Sequence, residues 1–533
     1  MPRRNRTARL ERDIRTGEIG AVIKDWGGKL PVALIYPNAY YLGMSNLGVH
    51  AIYKLLNEYD DVVCERVFRE RANIEKNTPF LSIESRRPLS DFAVLAFSVS
   101  YELDYFNIAS ILKTSGIPVY AADRDERHPL VIAGGPCITA NPMPLSPFFD
   151  CLCIGEAEPI LPNMLPILSE RLGSPRNDLL KDLAALPGVY APALSRQKPV
   201  VRQWAKDLDS FPVTSVVLTR DTELGDLFLI EVERGCQRGC RFCLVNCVFS
   251  PMRFRKVTNL LEQAKAGLRY KKRIGLVGPA VTDHPDISDL LEGLLQMGAE
   301  LSISSLRVNS LSRGIIEKLA RGNSRTITIA PEAGSARLRH LINKDIPEDN
   351  ILEVADIVGQ NGFRNLKLYF MIGLPAETEE DIEELINLAL AVKARLDKYR
   401  GSTRLNLNVA PFVPKAGTPF QWLPMASPDM LKRRIATLNR RLSPLGVILK
   451  TESPSWSRIQ GILSRGDTRL SAALASVENV SLAAWRKTVN THELDTDYYI
   501  DQKWDTSQAL PWSIIDTGIK SDRLSAEMEK AIQ

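Results

Sequence analysis

No stretch of the 533 residues approaches 18 consecutive apolar positions, which excludes a membrane-spanning helix. Internal repeats and low-complexity tracts are absent too, which argues against a solenoid or a linker-like chain. Cysteine is scarce: eight residues are too few to staple a protein of this size with disulfides. Neither sign of charge dominates, because 68 Lys+Arg against 63 Asp+Glu leaves only +5. That balance gives the molecule as a whole no reason to bind a polyanion. The Arg-rich start, MPRRNRTARLERDIRTGEIG, has no apolar stretch behind its charges. A secretory signal is therefore not expected, and a cytoplasmic location is. What is there is a globular composition, 44% hydrophobic and 25% charged, with chain enough for about three to four domains at ~150 residues each.

After a basic arm (1–24), residues 25–175 alternate short apolar runs with amphipathic stretches: PVALIYP, MSNLGVHAIYKLLNEY, FAVLAFS, LDYFNIASILKTSG, HPLVIAGG and DCLCIG. Continuous apolar strands separated by helices indicate an α/β, doubly wound parallel sheet of Rossmann-like type. Such sheets bind ligands at the carboxyl ends of their strands. Here those loops carry Pro37–Tyr40, Ser98 and Ser100, Gly134 and Gly135, and Gly155–Glu156. Residues 176–222 are weakly periodic and read as a connector. A second βα series over 223–430 contains LFLIEVE, IGLVG, LSISSLRV, TITIAP, LKLYFMIGL and LNLNVAPFV. Six successive parallel units fit a partial (β/α)6 barrel, whose active site belongs at the strand carboxyl ends. Residues 431–533 read as a small appendage.

The loop after the first barrel strand is ERGCQRGCRFC, which spaces Cys236, Cys240 and Cys243 as C-x3-C-x2-C, with Phe242 before the last. Three thiolates can hold three irons of a [4Fe-4S] cube and leave the fourth iron open to a small molecule. Cys247 leaves a closed four-cysteine site, zinc or electron-transferring, as the other reading. Cys64, Cys137, Cys151 and Cys153 read as small buried hydrophobes.

This cysteine spacing, with an aromatic before the third cysteine, resembles the radical S-adenosylmethionine (radical SAM) superfamily. The preceding domain, with GGP at 134–136, GE at 155–156, YPNAYYLGMSNLG near the start and FVPKAGTPFQW near the end, resembles the B12-binding-domain radical SAM proteins over roughly residues 30–475. The resemblance implies a [4Fe-4S] cluster whose open iron binds SAM, cleavage of SAM to methionine and a 5'-deoxyadenosyl radical, and reduction by a flavodoxin- or ferredoxin-type donor. It implies roles for Arg307 toward the SAM carboxylate, Glu332 toward its amine or ribose, and Gly373 and Phe242 near adenine. It also implies cobalamin held near Ser98, Ser100, Gly134 and Gly135. Two departures stand out. The superfamily's Gly-Gly-Glu run after the second strand is replaced by Gly278-Pro279-Ala280, and no histidine follows the first strand where many B12 domains have one, His50 reading as structural.

The reaction expected on this basis is cobalamin-dependent C-methylation of an unactivated carbon in a small-molecule substrate. Two alternatives stand beside it: modification of RNA or another macromolecule, and a non-catalytic iron–sulfur sensor or electron-transfer protein. The RNA reading rests on Arg3, Arg4, Arg6, Arg9, Arg12 and Arg15, and on the basic segment Arg253, Arg255, Lys256, Lys271, Lys272 and Arg273.

Overall fold

A computed structural model of the chain describes residues 17–70, 78–171, 173–194, 198–399 and 403–532. The arginines of the basic arm from Arg3 to Arg15 lie outside these. In the first domain, strands β1 (Leu30–Tyr36), β2 (Val62–Phe68), β3 (Val94–Ser98), β4 (Leu130–Gly134) and β5 (Cys151–Cys153) form a parallel sheet in the order β2-β1-β3-β4-β5. A short antiparallel strand β6 (Val189–Tyr190) closes one edge.

The alternation of side chains along each strand decides which helices cover which face. Val32, Leu34, Val94 and Ile132 share a core with Val49, Tyr53 and Leu56 of helix α1 (Leu47–Asn57) and with Leu161, Leu165 and Leu168 of α3 (Ala157–Arg171). Their neighbours Ala33, Ile35, Leu95, Phe97 and Val131 face the other way, against Phe106, Ile108, Ile111 and Leu112 of α2 (Tyr105–Thr114). The domain is therefore doubly wound, as the sequence pattern indicates.

Strand β2 is absent from that pattern because Glu65 and Arg66 interrupt its apolar run. Both are buried. The Arg66 guanidinium is satisfied by Glu18 and Glu84, each at 2.7 Å, while Glu65 accepts from the Trp26 indole at 2.8 Å. Paired in this way, buried charges are tolerated at a sheet edge.

The second domain is the expected partial barrel. Strands β7 (Phe228–Glu231), β8 (Arg273–Val277) and β9 (Glu300–Ile303) form one parallel group. Strands β10 (Thr326–Glu332), β11 (Asn365–Ile372), β12 (Arg404–Pro411) and β13 (Ile448–Thr451) form the other. A parallel bridge between Leu306 and Ile329 joins the two groups. Strand β13 lies beyond residue 430, so the appendage expected from 431 onward begins by extending the barrel sheet.

On the outer face, Leu366, Leu368, Phe370 and Ile372 of β11 pack in one core with the apolar stripes of α4 (Glu348–Gln360) and α5 (Glu379–Asp397). The inner face differs between the halves. In the first, Leu229 and Val277 are covered by Leu47 and Ala51 of α1 and by Val213 of the connector. In the second, the inward positions of β11 read Asn365, Lys367, Tyr369 and Met371.

The connector is a structural seam. Thr214 bridges Ile230 of β7, and Gln203 runs beside Gly155. Gly155 has φ +121°, and a Cβ there would sit 2.0 Å from the Gln203 carbonyl oxygen, so only glycine admits that approach. Ion pairs complete the junction: Glu156 takes Arg234 at 2.8 Å and Arg253 at 2.6 Å, and Glu158 takes Arg234 at 2.8 Å. Lys415 meets Glu102 at 2.5 Å.

Candidate active site at the barrel mouth

The cysteine loop leaves β7 at the carboxyl end of the barrel, where the fold places chemistry. It is pinned from outside. The Arg241 amide donates to the Ile342 carbonyl at 3.0 Å, and its guanidinium donates to the Leu341 carbonyl at 2.7 Å. The Asn343 side-chain amide donates to the Gly239 carbonyl at 2.9 Å. Cys240 is buried and Cys236 and Cys243 are partly buried, and the three thiols are electrostatic neighbours. Burial pushes the Cys243 thiol up to about 12, while Lys344 draws it down. Lys344 and Arg307 also draw down the Cys240 thiol, which burial raises. These two cations supply positive charge where three thiolates would gather.

Among the described residues, no three His, Cys, Asp or Glu side chains converge on a single ion position. Cys247 lies on the short helix Val245–Phe249, buried, its Sγ against Gly417 and its charged neighbour Arg202. It faces the core, so the closed four-cysteine arrangement is not formed.

Two of the sequence-expected residues, Arg307 and Glu332, are electrostatic neighbours of Cys240 in this loop. Glu332 terminates β10 after a bulge, in a left-handed conformation (φ +69°), and pairs with Lys344 at 2.8 Å. Non-glycine residues reach that region at a cost the surroundings must hold. Arg307 follows β9; its amide donates to Thr282 Oγ1 at 3.2 Å, and its buried Nε has no partner among the described residues. Its charge faces Asp283 and Cys240, so it is not the ordinary surface ion pair that a lone arginine would suggest. Gly373 follows β11 with φ +77°, and its amide donates to Glu377. Burial raises the Glu377 carboxyl to about 7 although Arg434 pairs with it. Phe242 packs part-buried against the core.

One residue at this mouth escaped the sequence reading. Glu233, three before Cys236, places its carboxyl in the Gly278-Pro279-Ala280 loop: it accepts from the Ala280 amide, and a Cβ on Gly278 would lie 2.7 Å from its Cγ. Burial first, then Asp283 and Glu231, raise this carboxyl to about 7. Its buried Oε2 has no partner among the described residues.

The first domain contains a cavity of about 330 Å³ between its sheet and helices α1 and α3. Its lining includes Ser98, Ser100, Gly134 and Gly135, the loop residues singled out in the sequence. Gly135 has φ +113°, and a Cβ there would be 2.5 Å from the Val99 carbonyl oxygen, so its glycine serves the turn. Gly134 differs. A Cβ there would meet Cys153 at an ordinary 3.5 Å, so the missing side chain leaves space rather than relieving a clash. Ala51, Ala96 and Ala157 extend that small-residue lining, with Leu55, Leu161 and Leu165 around it. The far wall belongs to the barrel: Glu231, Arg234, Val248 and Phe249.

His50 is structural, as expected. One ring nitrogen lies 3.1 Å from the Met44 carbonyl and the other accepts from the Val216 amide at 3.2 Å, while burial lowers its pKa to about 4. Five of the six cations of the basic segment are paired within the chain, while Lys256 is exposed. Arg253 and Arg255 are buried on Glu156 and Glu231, Lys271 pairs with Asp226, and Lys272 and Arg273 pair with Glu300. Cys64, Cys137, Cys151 and Cys153 are buried apolar fill.

A doubly wound domain leading into a partial barrel, with a three-cysteine loop at the mouth, defines the radical SAM class with a B12-binding-type first domain. The chain belongs to the radical SAM superfamily: residues 230–389 match the family described as Radical SAM superfamily, and 48–192 match Radical SAM proteins, N-terminal. It is 34% identical to the uncharacterized protein MJ0966 of Methanocaldococcus jannaschii, covering 84% of this chain and 91% of that one. The fold is similar to that of the radical SAM methyltransferase TsrM from Kitasatospora setae, solved with cobalamin and a [4Fe-4S] cluster bound (TM-score 0.53, 12% identity, 87% of this chain and 99% of that one). It is also similar to that of the cobalamin-dependent radical enzyme OxsB with aqua-cobalamin (TM-score 0.51, 15% identity, 88% and 71%). The protein is thus a radical SAM enzyme. Among the described residues no helix is long and apolar enough to cross a membrane.

Proposed function

We propose that this enzyme is cobalamin-dependent and methylates an unactivated carbon, drawing electrons from a flavodoxin- or ferredoxin-type donor. The observation that carries the reading is the cavity: an apolar slot in the B12-type domain whose far wall is the strand end bearing the cluster loop. Its size and small-residue lining suit the flat, buried tail of a corrinoid. When bound, the cluster with SAM supplies a 5'-deoxyadenosyl radical and cobalamin supplies a methyl group.

The chain's own residues bind and orient. Cys236, Cys240 and Cys243 hold the cluster, with Lys344 and Arg307 offsetting its negative charge. Arg307, whose Nε is unpartnered, takes the SAM carboxylate by a charge-assisted hydrogen bond. Glu332 and Glu233 are the carboxylates for its ammonium and hydroxyl groups, Glu233 standing at the loop where the Gly-Gly-Glu run is missing. Ser98, Ser100, Gly134 and Gly135 would line the corrinoid slot.

The test is stoichiometry. The cluster is reconstituted without oxygen, the protein is incubated with hydroxocobalamin and desalted, and bound corrinoid is read from its visible spectrum. About one equivalent is expected; none retained by protein that still cleaves SAM overturns the reading.

A further inference from the structure

The inner face of the barrel's second half carries an arrangement that none of these roles uses. Parallel register places Thr328, Lys367 and Asn406 side by side on β10, β11 and β12, and one layer nearer the mouth it places Tyr369, Asn408 and Lys450 side by side on β11, β12 and β13. Residues in register share a face of the sheet, and this face is opposite to the one that packs on the helices. Two side-chain contacts agree: Asn406 donates to Asn365, and Asn365 to Thr326, each at 3.3 Å.

Closed (β/α)8 barrels fill this interior with branched apolar side chains. Here Tyr369 is 40% exposed, Lys367 and Asn408 are half-buried, and Lys450 is exposed. Neither lysine makes a salt bridge or a side-chain hydrogen bond among the described residues. By contrast, three cations around the mouth are committed, Lys344 to Glu332, Arg238 to Asp283 and Lys415 to Glu102. Two unpaired ammonium groups interleaved with amides and a phenol on a concave wall are a receptor for an anion rich in hydrogen-bond acceptors.

We propose that Lys367 and Lys450, supported by Asn406, Asn408, Tyr369 and Thr328, bind a carboxylate or phosphate at the end of the substrate remote from the reacting carbon. Lys367 lies three residues before Phe370, the level at which Glu332 pairs with β11, and the Tyr369–Asn408–Lys450 layer lies one residue before it. At ~3.3 Å per residue the two layers are roughly 10 Å and 3 Å beneath the mouth. The substrate class is therefore an elongated anion with up to about 10 Å between its charge and the carbon that reacts. The direction of the reacting end rests on the radical SAM reading of the mouth; the anion site itself does not.

The experiment titrates the thermal midpoint of the full chain with glutarate and, separately, with pyrophosphate, at ionic strength held constant with chloride. A saturable rise with at least one anion is expected, the responding arm assigning carboxylate or phosphate. The Lys367→Met/Lys450→Met double variant should need at least tenfold more anion, and Lys367→Arg/Lys450→Arg should return to within threefold of wild type. Lys450→Met alone, on an exposed edge strand, gives a second reading if the double variant does not fold. The proposal is overturned if neither anion gives a saturable rise, or if the methionine variants give the wild-type curve. Corrinoid retention measured on the same preparations separates the two readings: its loss with anion binding intact overturns only the cobalamin assignment, and the converse overturns only the anion site.

Discussion

The slot in the first domain and the inner wall of the barrel are both built against parallel strands, yet they are opposites. In the slot, glycine and alanine at positions such as Gly134, Ala51, Ala96 and Ala157 hold back side chains, so an apolar space remains between the sheet and its helices. Along the barrel wall, full-length polar side chains stand in an open concavity. The first makes room by omission and suits a flat, uncharged group. The second makes contacts by addition and suits a charged, hydrogen-bonding one. Between them sits the three-cysteine loop, joined to the slot by Arg234 and to the barrel mouth by Lys344.

Removing what lies between the two regions should have the largest effect. Cys243→Ala should abolish 5'-deoxyadenosine formation; cleavage at the wild-type rate by a verified cluster-free variant would refute the ligand assignment. Filling the slot comes next. Gly134→Leu should reduce corrinoid retention at least tenfold while the thermal midpoint stays near wild type, because a Cβ meets nothing closer than 3.5 Å. Unchanged retention would separate the cavity from cobalamin.

At the mouth, Glu233→Gln should weaken SAM binding about tenfold, as expected for losing one charge-assisted hydrogen bond. An unchanged dissociation constant in equilibrium dialysis would remove Glu233 from the site. The slot side also carries a pH dependence. His50 is held neutral with its pKa near 4, so its contribution is present above pH ~6.5 and is lost as pH falls toward 4. Urea unfolding at pH 6.5 and 4.5 should show about 2 kcal/mol more loss in wild type than in His50→Asn. Equal losses would show that the ring is not buried neutral. The smallest effect belongs to Cys247→Ala, whose iron content and cluster spectrum should match wild type, since its thiol faces Gly417 rather than the cluster loop.

How much of this the sequence discloses depends on how local each feature is. Cys236, Cys240 and Cys243 are legible because iron ligation demands fixed residue types within one short loop. The alternating βα pattern is legible because strands covered on both faces need unbroken apolar runs. Strand β2 is hidden by the Glu65–Arg66 pair, whose partners Glu18 and Glu84 are distant in sequence. Strand β13 is only four residues long and lies at an edge, so it has no apolar run to announce it. Glu233 gains its meaning from Ala280, 47 residues away, and Lys367 and Lys450 come together only through the register of β11, β12 and β13.

The pairing of Glu156 and Glu158 with Arg234 and Arg253 also bears on how such enzymes can be recombined. Four charges at this junction are buried, two contributed by each domain. A chimera that grafts a foreign cofactor domain onto this barrel would strand the Arg253 guanidinium without a counter-charge and leave Arg234 with Glu231 alone, at a cost of several kcal/mol. The domains are interchangeable only with their junction, so the unit of inheritance is the pair of domains and not either alone.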